Sequence, residues 1–137
     1  MSENTAPYML LFHDSSPSCY AGLSPEQIQQ FLTQWNSWYD GLIAEGKLDH
    51  GRPLEQERRI VSGARGERVV DGPFAESKES IAGYFLLMVK NIEEATGIAK
   101  GCPGLAHGLV VEVRPVADCC HAAKSIGLKS MRETVPV

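Results

Sequence analysis

The sequence predicts one α+β domain with a ferredoxin-like βαββαβ order and a small hairpin inserted before the third main strand. One long segment shows helical spacing of apolar residues, a second begins with a helix N-cap, and four short segments bounded by turn residues are typical of strands. The 137 residues suffice for one core. A hydrophobic fraction of 43% and a charged fraction of 22% are typical of a globular protein.

The first strand is predicted at Tyr8–Phe12, with His13 and Asp14 at its end. Alternate residues point to opposite faces of a strand, and here both sets are largely apolar. A loop rich in Ser, Pro and Gly follows as far as Leu23.

The first helix is predicted from Pro25 to Glu45. Ser24 is a favourable N-cap, Pro25 suits the first helical position, and Gln27 can complete a capping box. Gly46 provides the stop. The apolar stripe consists of Ile28, Phe31, Leu32, Trp35, Tyr39, Leu42 and Ile43.

The second strand is predicted from Leu48 to about Leu54, where Gly51 and Pro53 indicate an edge or a bulge. A hairpin follows, with strands at 59–61 and 68–70 around a glycine-flanked turn.

The third main strand is predicted at Ile81–Val89, and its two faces are again apolar. Asn91 caps a second helix that ends near Lys100, and Leu109–Arg114 forms the last strand. His107 is expected in a loop.

The domain is predicted to occupy residues 1–116, with a weakly patterned C-terminal extension at 117–137. The extension either holds a short helix near Ala117–Ser125 or is loosely attached.

Two helices can cover only one face of a four-stranded sheet, yet the strands around Leu10 and Leu86 are apolar on both faces. The uncovered face would be a larger apolar patch than soluble monomers usually expose. We therefore expect a homodimer whose sheets meet face to face, forming a dimeric α/β-barrel.

Composition argues against several classes of partner. The net charge of −4 and the pI near 5.5 are unlike those of a nucleic-acid-binding protein. The polar segment Met1–Pro7 does not resemble a secretory signal, and no apolar run reaches membrane-spanning length. The cysteines form no CxxC motif, so we expect reduced thiols and a cytoplasmic location. They are Cys19, Cys102, Cys119 and Cys120.

The most informative stretch begins with the turn Asp71-Gly72-Pro73-Phe74. Asp71 can close an Asx-type turn, and the residue before Pro73 is restricted to extended conformations or to those that glycine tolerates. The turn would direct a cluster of charged side chains toward the strand that contains Tyr84. That cluster is Glu76, Lys78 and Glu79.

The nonapeptide 71–79, with Gly83-Tyr84 after it, resembles the DGPF branch of the YCII-related proteins. The resemblance extends roughly from Tyr8 to Val116, including Gly46-Lys47-Leu48 and Val113-Arg114-Pro115. It implies ferredoxin-like subunits paired as a dimeric α/β-barrel. It also implies small bacterial proteins of mostly unassigned activity, some of them linked to transcription initiation.

Some YCII-type proteins carry a His and an Asp near the first helix that resemble an acid–base pair. Counting back from Gly46-Lys47-Leu48, those places hold Trp35 and Ala44 here. A mechanism based on that pair therefore does not transfer to this chain.

The candidate catalytic residues are Asp71, His13 and His50, since a carboxylate and near-neutral imidazoles can exchange protons. His13 and His50 could approach each other across the sheet. The candidate substrate-binding residues are Gly72, Phe74, Glu76, Lys78, Glu79 and Tyr84. Alternatively, Asp71 only ties the turn, Lys78 and Glu79 pair at the surface, and the histidines satisfy local hydrogen bonds.

No metal site and no cofactor are expected. Cys119-Cys120-His121 contains suitable ligand types, but three adjacent residues cannot build a tetrahedral site, and no second cluster has the required spacing.

Two functions remain open. The first is a homodimeric protein with a small-molecule pocket near the DGPF turn, either an acid–base enzyme or a metabolite binder. The second is a non-catalytic regulatory or interaction module, for example one associated with transcription. Neither involves nucleic acid binding or a membrane.

Overall fold

A computed structural model describes residues 4–15, 18–72 and 79–133. Four strands form the main antiparallel sheet, and two more form a separate hairpin. The main strands are β1 (Ala6–Ser15), β2 (Leu48–Pro53), β5 (Glu79–Val89) and β6 (Val110–Pro115); the hairpin is β3 (Arg58–Ser62) and β4 (Arg68–Gly72). The helices are α1 (Pro25–Ala44), α2 (Ile92–Ala99) and α3 (His121–Ser125), with a 3-10 helix at Pro103–His107.

The order of strands in the main sheet is β2-β5-β1-β6. With α1 after β1 and α2 after β5, this mixed α+β arrangement is compatible with the predicted ferredoxin-like plan. The β3–β4 hairpin lies between β2 and β5 in the chain, as expected. Within the described ranges, no helix combines the length and apolarity that crossing a bilayer requires.

The ends of α1 follow from local hydrogen bonding. The Ser24 hydroxyl accepts a bond from the Gln27 N–H, and the Gln27 side chain accepts one from the Ser24 N–H, which completes the predicted capping box. At the other end Gly46 adopts φ +73°, and the Lys47 N–H donates to the Leu42 carbonyl. This is a Schellman stop, for which glycine is favoured.

Both α1 and α2 pack on the same face of the sheet, which we call the covered face. Leu10 and Phe12 of β1 and Leu87 and Val89 of β5 are buried there. The helices add Leu42, Ala95 and Ala99 to this core.

The predicted stripe of α1 is partly wrong. Leu32 and Ile43 are 48% and 42% exposed, whereas Trp38, which was not predicted, packs against the core. At 100° per residue, Leu32 and Ile43 lie about 80–100° around the helix from the buried Leu42, whereas Trp38 lies within about 40° of it.

The opposite side of the sheet, the free face, has no buried residue in the single chain. The register places Leu11 opposite Tyr84 and Met9 opposite Leu86, so the middle of this face is apolar. Met88 extends the apolar middle along β5. Polar residues surround it on the outer strands, namely His50, Arg52, Glu112 and Arg114.

The hairpin stands apart from the rest of the described chain. No helix or other strand in the described ranges comes within 8 Å of it, measured between Cα atoms. Val61 pairs with Val69, and the two side chains are 61% and 56% exposed. The hairpin is therefore held by its own cross-strand pairs.

The remaining segments are short. His107 lies in the 3-10 helix rather than in the expected loop, because Pro103 opens a helical turn and the His107 ring packs 4.9 Å from the Phe31 ring. The extension after Val116 contains α3, and Cys119 and Ala123 are buried there.

Candidate functional site

A cavity of about 450 Å³ lies between α1 and the covered face of the sheet. Its lining is largely apolar and comes from α1, the main sheet, the loop after β1 and the residue just before β6. The residues are Phe12, Cys19, Tyr20, Ile28, Phe31, Leu32, Trp35, Asn36, Tyr39, Gly51, Arg52, Pro53, Ala82, Gly83, Phe85 and Leu109.

Two glycines belong to the floor of the cavity. A Cβ atom at Gly51 would collide with the Phe85 ring, and one at Gly83 would lie 2.8 Å from the Arg52 carbonyl oxygen. Only glycine allows these close approaches, because any other residue carries that atom. The Phe85 ring therefore packs directly over Gly51, and the β2 backbone packs closely against Gly83.

The walls are aromatic rings packed edge to face. The Trp35 ring lies 5.2 Å from Phe12 and 6.1 Å from Phe31, and Tyr39 lies 5.6 Å from Phe85. Edge-to-face contacts of this kind are favourable beyond the area they bury. We expect the rings to hold their positions and to keep the N-terminal half of α1 away from the sheet.

Asp14 stabilises the rim of the cavity. Among the described residues, it is the charged side chain that is buried. Its Oδ1 accepts hydrogen bonds from the Ser15 and Cys19 backbone N–H groups, both at 2.9 Å. These bonds hold the returning chain at Cys19, next to Tyr20, and both residues line the cavity. Burial, and then the neighbouring Asp14 carboxylate, raise the pKa of the Cys19 thiol. At neutral pH the cavity therefore contains a thiol and not a thiolate.

Asp14 was not among the predicted site residues. The sequence shows only an acidic residue before a Ser- and Pro-rich loop, and such residues are usually exposed. The Asp14 carboxylate is buried because the loop after β1 folds back and donates two N–H groups to it. This arrangement depends on the folded loop and is not visible in the sequence around Asp14.

The predicted histidines lie on the free face, away from the cavity. His13 Nε2 lies 2.7 Å from Glu112 Oε1, and His50 Nδ1 lies 2.8 Å from Asp49 Oδ2. The His50 ring also packs 5.5 Å from the Tyr84 ring, so the sheet brings together these two predicted site residues.

His13 and His50 do not meet within one chain. Strand β5 separates β1 from β2, and His50 is level with Met9, four residues from His13. Their backbones are about 16 Å apart, given roughly 3.3 Å per residue and 4.8 Å between strands.

Asp71 lies near the end of β4, and its side chain is 74% exposed. Its Oδ1 is 3.0 Å from Nε of Arg59 on the facing strand. Gly72 is the last residue of β4. Phe74, Glu76 and Lys78 lie outside the described residues, and of Glu79 the structure describes the backbone pairing with Ser15.

The predicted DGPF segment leads into the strand that forms part of the cavity floor. Glu79 opens β5, and Gly83 follows four residues later. Along β5 the cavity lining begins at Ala82, three residues after Glu79.

The described residues contain no group of three His, Cys, Asp or Glu side chains arranged to hold a metal ion. In the segment Cys119-Cys120-His121, Cys119 is buried, with its thiol 3.9 Å from the Leu128 carbonyl oxygen, and Cys120 is exposed.

Comparison with models of known protein families identifies the family of this domain. The model of the YCII-related domain matches residues 6–119, which is most of the chain. The chain belongs to the YCII-related family. Among curated proteins, a search found no significant match. Membership confirms the predicted family, while the assignment to its DGPF branch stays a prediction.

Proposed function

We propose that this YCII-related protein is a homodimer in which each subunit binds a small molecule between α1 and the sheet. The cavity carries this proposal. Its volume of about 450 Å³ falls within the roughly 300–1,000 Å³ of known ligand sites, and its apolar walls with few polar groups are typical of them.

The positions of the titratable groups favour a metabolite binder over an acid–base enzyme. His13 and His50 lie on the side of the sheet opposite the cavity. Cys19 lines the cavity, but its raised pKa keeps it protonated, and Asp14, which lies beside the thiol, accepts the Ser15 and Cys19 backbone N–H groups that hold the rim. The residues that face the ligand are suited to binding it.

The free face supports the homodimer. Its middle is apolar and its edges are polar, which is the usual organisation of a protein–protein interface. Two copies packed through this face would bury Met9, Leu11 and Leu86 in a shared core and complete a dimeric α/β-barrel.

Binding can be tested with N-phenyl-1-naphthylamine, a neutral probe that fluoresces in apolar surroundings. We expect saturable binding of one probe per subunit. Leu32→Trp should weaken binding at least tenfold, because the larger side chain fills part of the cavity. Ile43→Trp is the matched control, since Ile43 is similarly exposed on the same helix but does not line the cavity. Equal effects of the two variants, or unsaturable binding, would contradict the proposal.

The dimer can be tested by sedimentation velocity over micromolar concentrations. We expect a dimer that Leu86→Glu converts into monomers, because a charge would be buried between the sheets. Ile43→Glu places the same charge on the outer surface of α1 and should leave the dimer intact. A monomeric wild-type protein throughout this range would refute the dimer.

One observation favours the alternative, a non-catalytic interaction module. Asp71 is paired with Arg59 on an exposed hairpin, so it can stabilise the hairpin and its turn without contacting a ligand. Asp71→Ala distinguishes the two functions. Loss of probe binding by an intact dimer would place Asp71 at the site, whereas loss of pairing with probe binding retained would support the module.

A further inference from the structure

We infer that the natural ligand is a planar aromatic molecule whose enclosed part is uncharged, with a neutral polar group at the rim. This inference rests on the proposed function and specifies the ligand class for the same cavity. Three features carry it, namely the charges around the cavity, the shape of its floor and walls, and the polar groups at its edge.

The described lining offers no partner for a buried charge. Arg52 contributes to the lining, but it is paired with Tyr84 in the sheet, so its side chain belongs to the free face. Cys19 is held as a neutral thiol. Enclosing an ion without a counter-charge is costly, because the lost hydration is not replaced. The enclosed part of the ligand is therefore neutral.

The floor and walls favour a flat ring. The Phe85 ring covers Gly51 on the floor, and the rings of Trp35, Phe31 and Phe12 line the walls. A planar aromatic ring in the cavity can present its face or edge to these rings, which is the favoured arrangement of aromatic pairs.

A polar group at the rim would meet Asn36. This residue lies on the exposed side of α1, and in the described chain its amide has no hydrogen-bond partner. An amide both donates and accepts, so it suits a hydroxyl, carbonyl or amide substituent.

The charge requirement is tested with three probes that share one ring: 1-naphthalenemethanol, 1-naphthoate and (1-naphthyl)methylammonium. Each competes against N-phenyl-1-naphthylamine on the full-length protein. We expect the neutral alcohol to bind at least tenfold more tightly than either ion. A charged probe that binds as tightly as the alcohol would overturn this inference while leaving the proposed function intact. Absence of binding by N-phenyl-1-naphthylamine itself would overturn both.

Planarity is tested with decahydro-1-naphthalenemethanol, the saturated counterpart of the alcohol. We expect it to bind at least fivefold more weakly than 1-naphthalenemethanol, because it cannot stack against the aromatic walls. Equal affinities would contradict the aromatic ligand class without affecting the result on charge.

The polar end is tested with Asn36→Ala. Affinity for 1-naphthalenemethanol should fall about fivefold, while affinity for 1-methylnaphthalene, which lacks the hydroxyl, should stay within twofold of the wild-type value. Equal losses for the two probes would show that Asn36 contributes only to packing and would overturn its assignment to the polar end.

The location is checked through Cys19 in a Cys120→Ser background, where Cys102 and Cys119 are buried. N-ethylmaleimide labelling of Cys19, followed by mass spectrometry, should slow at least threefold when 1-naphthalenemethanol saturates the protein. Unchanged labelling would place the bound probe outside the cavity and overturn the inference.

Discussion

The two faces of the main sheet are built from the same strands, but they differ in what their side chains do. On the covered face Leu10, Leu87 and Val89 are almost fully buried by α1 and α2. On the free face Leu11 and Leu86 are only half-buried, although they are neighbours of those residues in sequence. Apolar composition alone therefore does not reveal which face the helices cover.

A second difference lies in the glycines. Gly51 and Gly83 belong to the covered face, where they allow the Phe85 ring and the β2 backbone to pack closely beside the cavity. On the free face β5 presents Tyr84, Leu86 and Met88 in succession, with no glycine at these positions. The covered face thus combines a core with a cavity, and the free face is suited to packing against another surface.

The largest effect should come from truncating a residue of the covered face. Leu87→Ala should lower the free energy of unfolding by about 3 kcal/mol, because it removes a fully buried side chain and leaves a hole. Urea denaturation with a conformational probe measures this change.

Leu86→Ala provides the matched comparison on the free face. Measured at concentrations where the chain is monomeric, its effect should be about 1 kcal/mol or less, because Leu86 is only half-buried. Equal losses for Leu86 and Leu87 would show that the two faces do not differ as described.

An effect second in size to that of Leu87→Ala should appear at alkaline pH. Burial raises the pKa of the Cys102 thiol to about 11, from 9.0. The folded state therefore retains a proton that the unfolded state loses, and stability should decrease as pH rises from 9 to about 11. The loss should approach about 2–3 kcal/mol at the upper end.

The pH dependence is isolated by comparing the slopes of stability against pH for wild type, Cys102→Ala and Cys120→Ser. The slope should flatten in Cys102→Ala, whereas Cys120→Ser should match wild type because Cys120 is exposed. The assignment to Cys102 fails if its removal leaves the alkaline slope unchanged.

The smallest effect is expected for the ion pair of the free face. His13→Ala removes the contact with Glu112, whose other oxygen lies 3.8 Å from Arg114. Both groups are partly exposed, so the monomer should lose about 1 kcal/mol or less. Sedimentation velocity of His13→Ala tests whether the His13–Glu112 pair stabilises the dimer more than the monomer, since dimerisation would shield the pair from water.

Most of the fold could be predicted from local sequence. The start of α1 follows from Ser24, Pro25 and Gln27, and its end from Gly46, because each forms bonds with residues only a few positions away. The alternation in β1 and β5 predicted two apolar faces. Local patterns could not predict that Trp38 packs against the core while Leu32 is exposed, because this depends on how the helix is rotated against the sheet.

The candidate site was much less predictable. The cavity is formed by α1, three strands and a loop, and Gly51 and Gly83 matter only because β2 and β5 are paired. Chemistry-bearing residue types pointed to the histidines instead, which lie on the other face. The cavity depends on how α1 is placed against the sheet, which local sequence patterns do not specify.

The isolation of the β3–β4 hairpin makes it a natural place to insert foreign peptide. Its turn, at 63–67, is exposed, and its glycines at Gly63 and Gly66 already adopt positive φ. A short epitope or a fluorescent label spliced into this turn would be carried outside the domain. Ligand binding at the covered face and pairing through the free face could then both be measured with the same labelled protein.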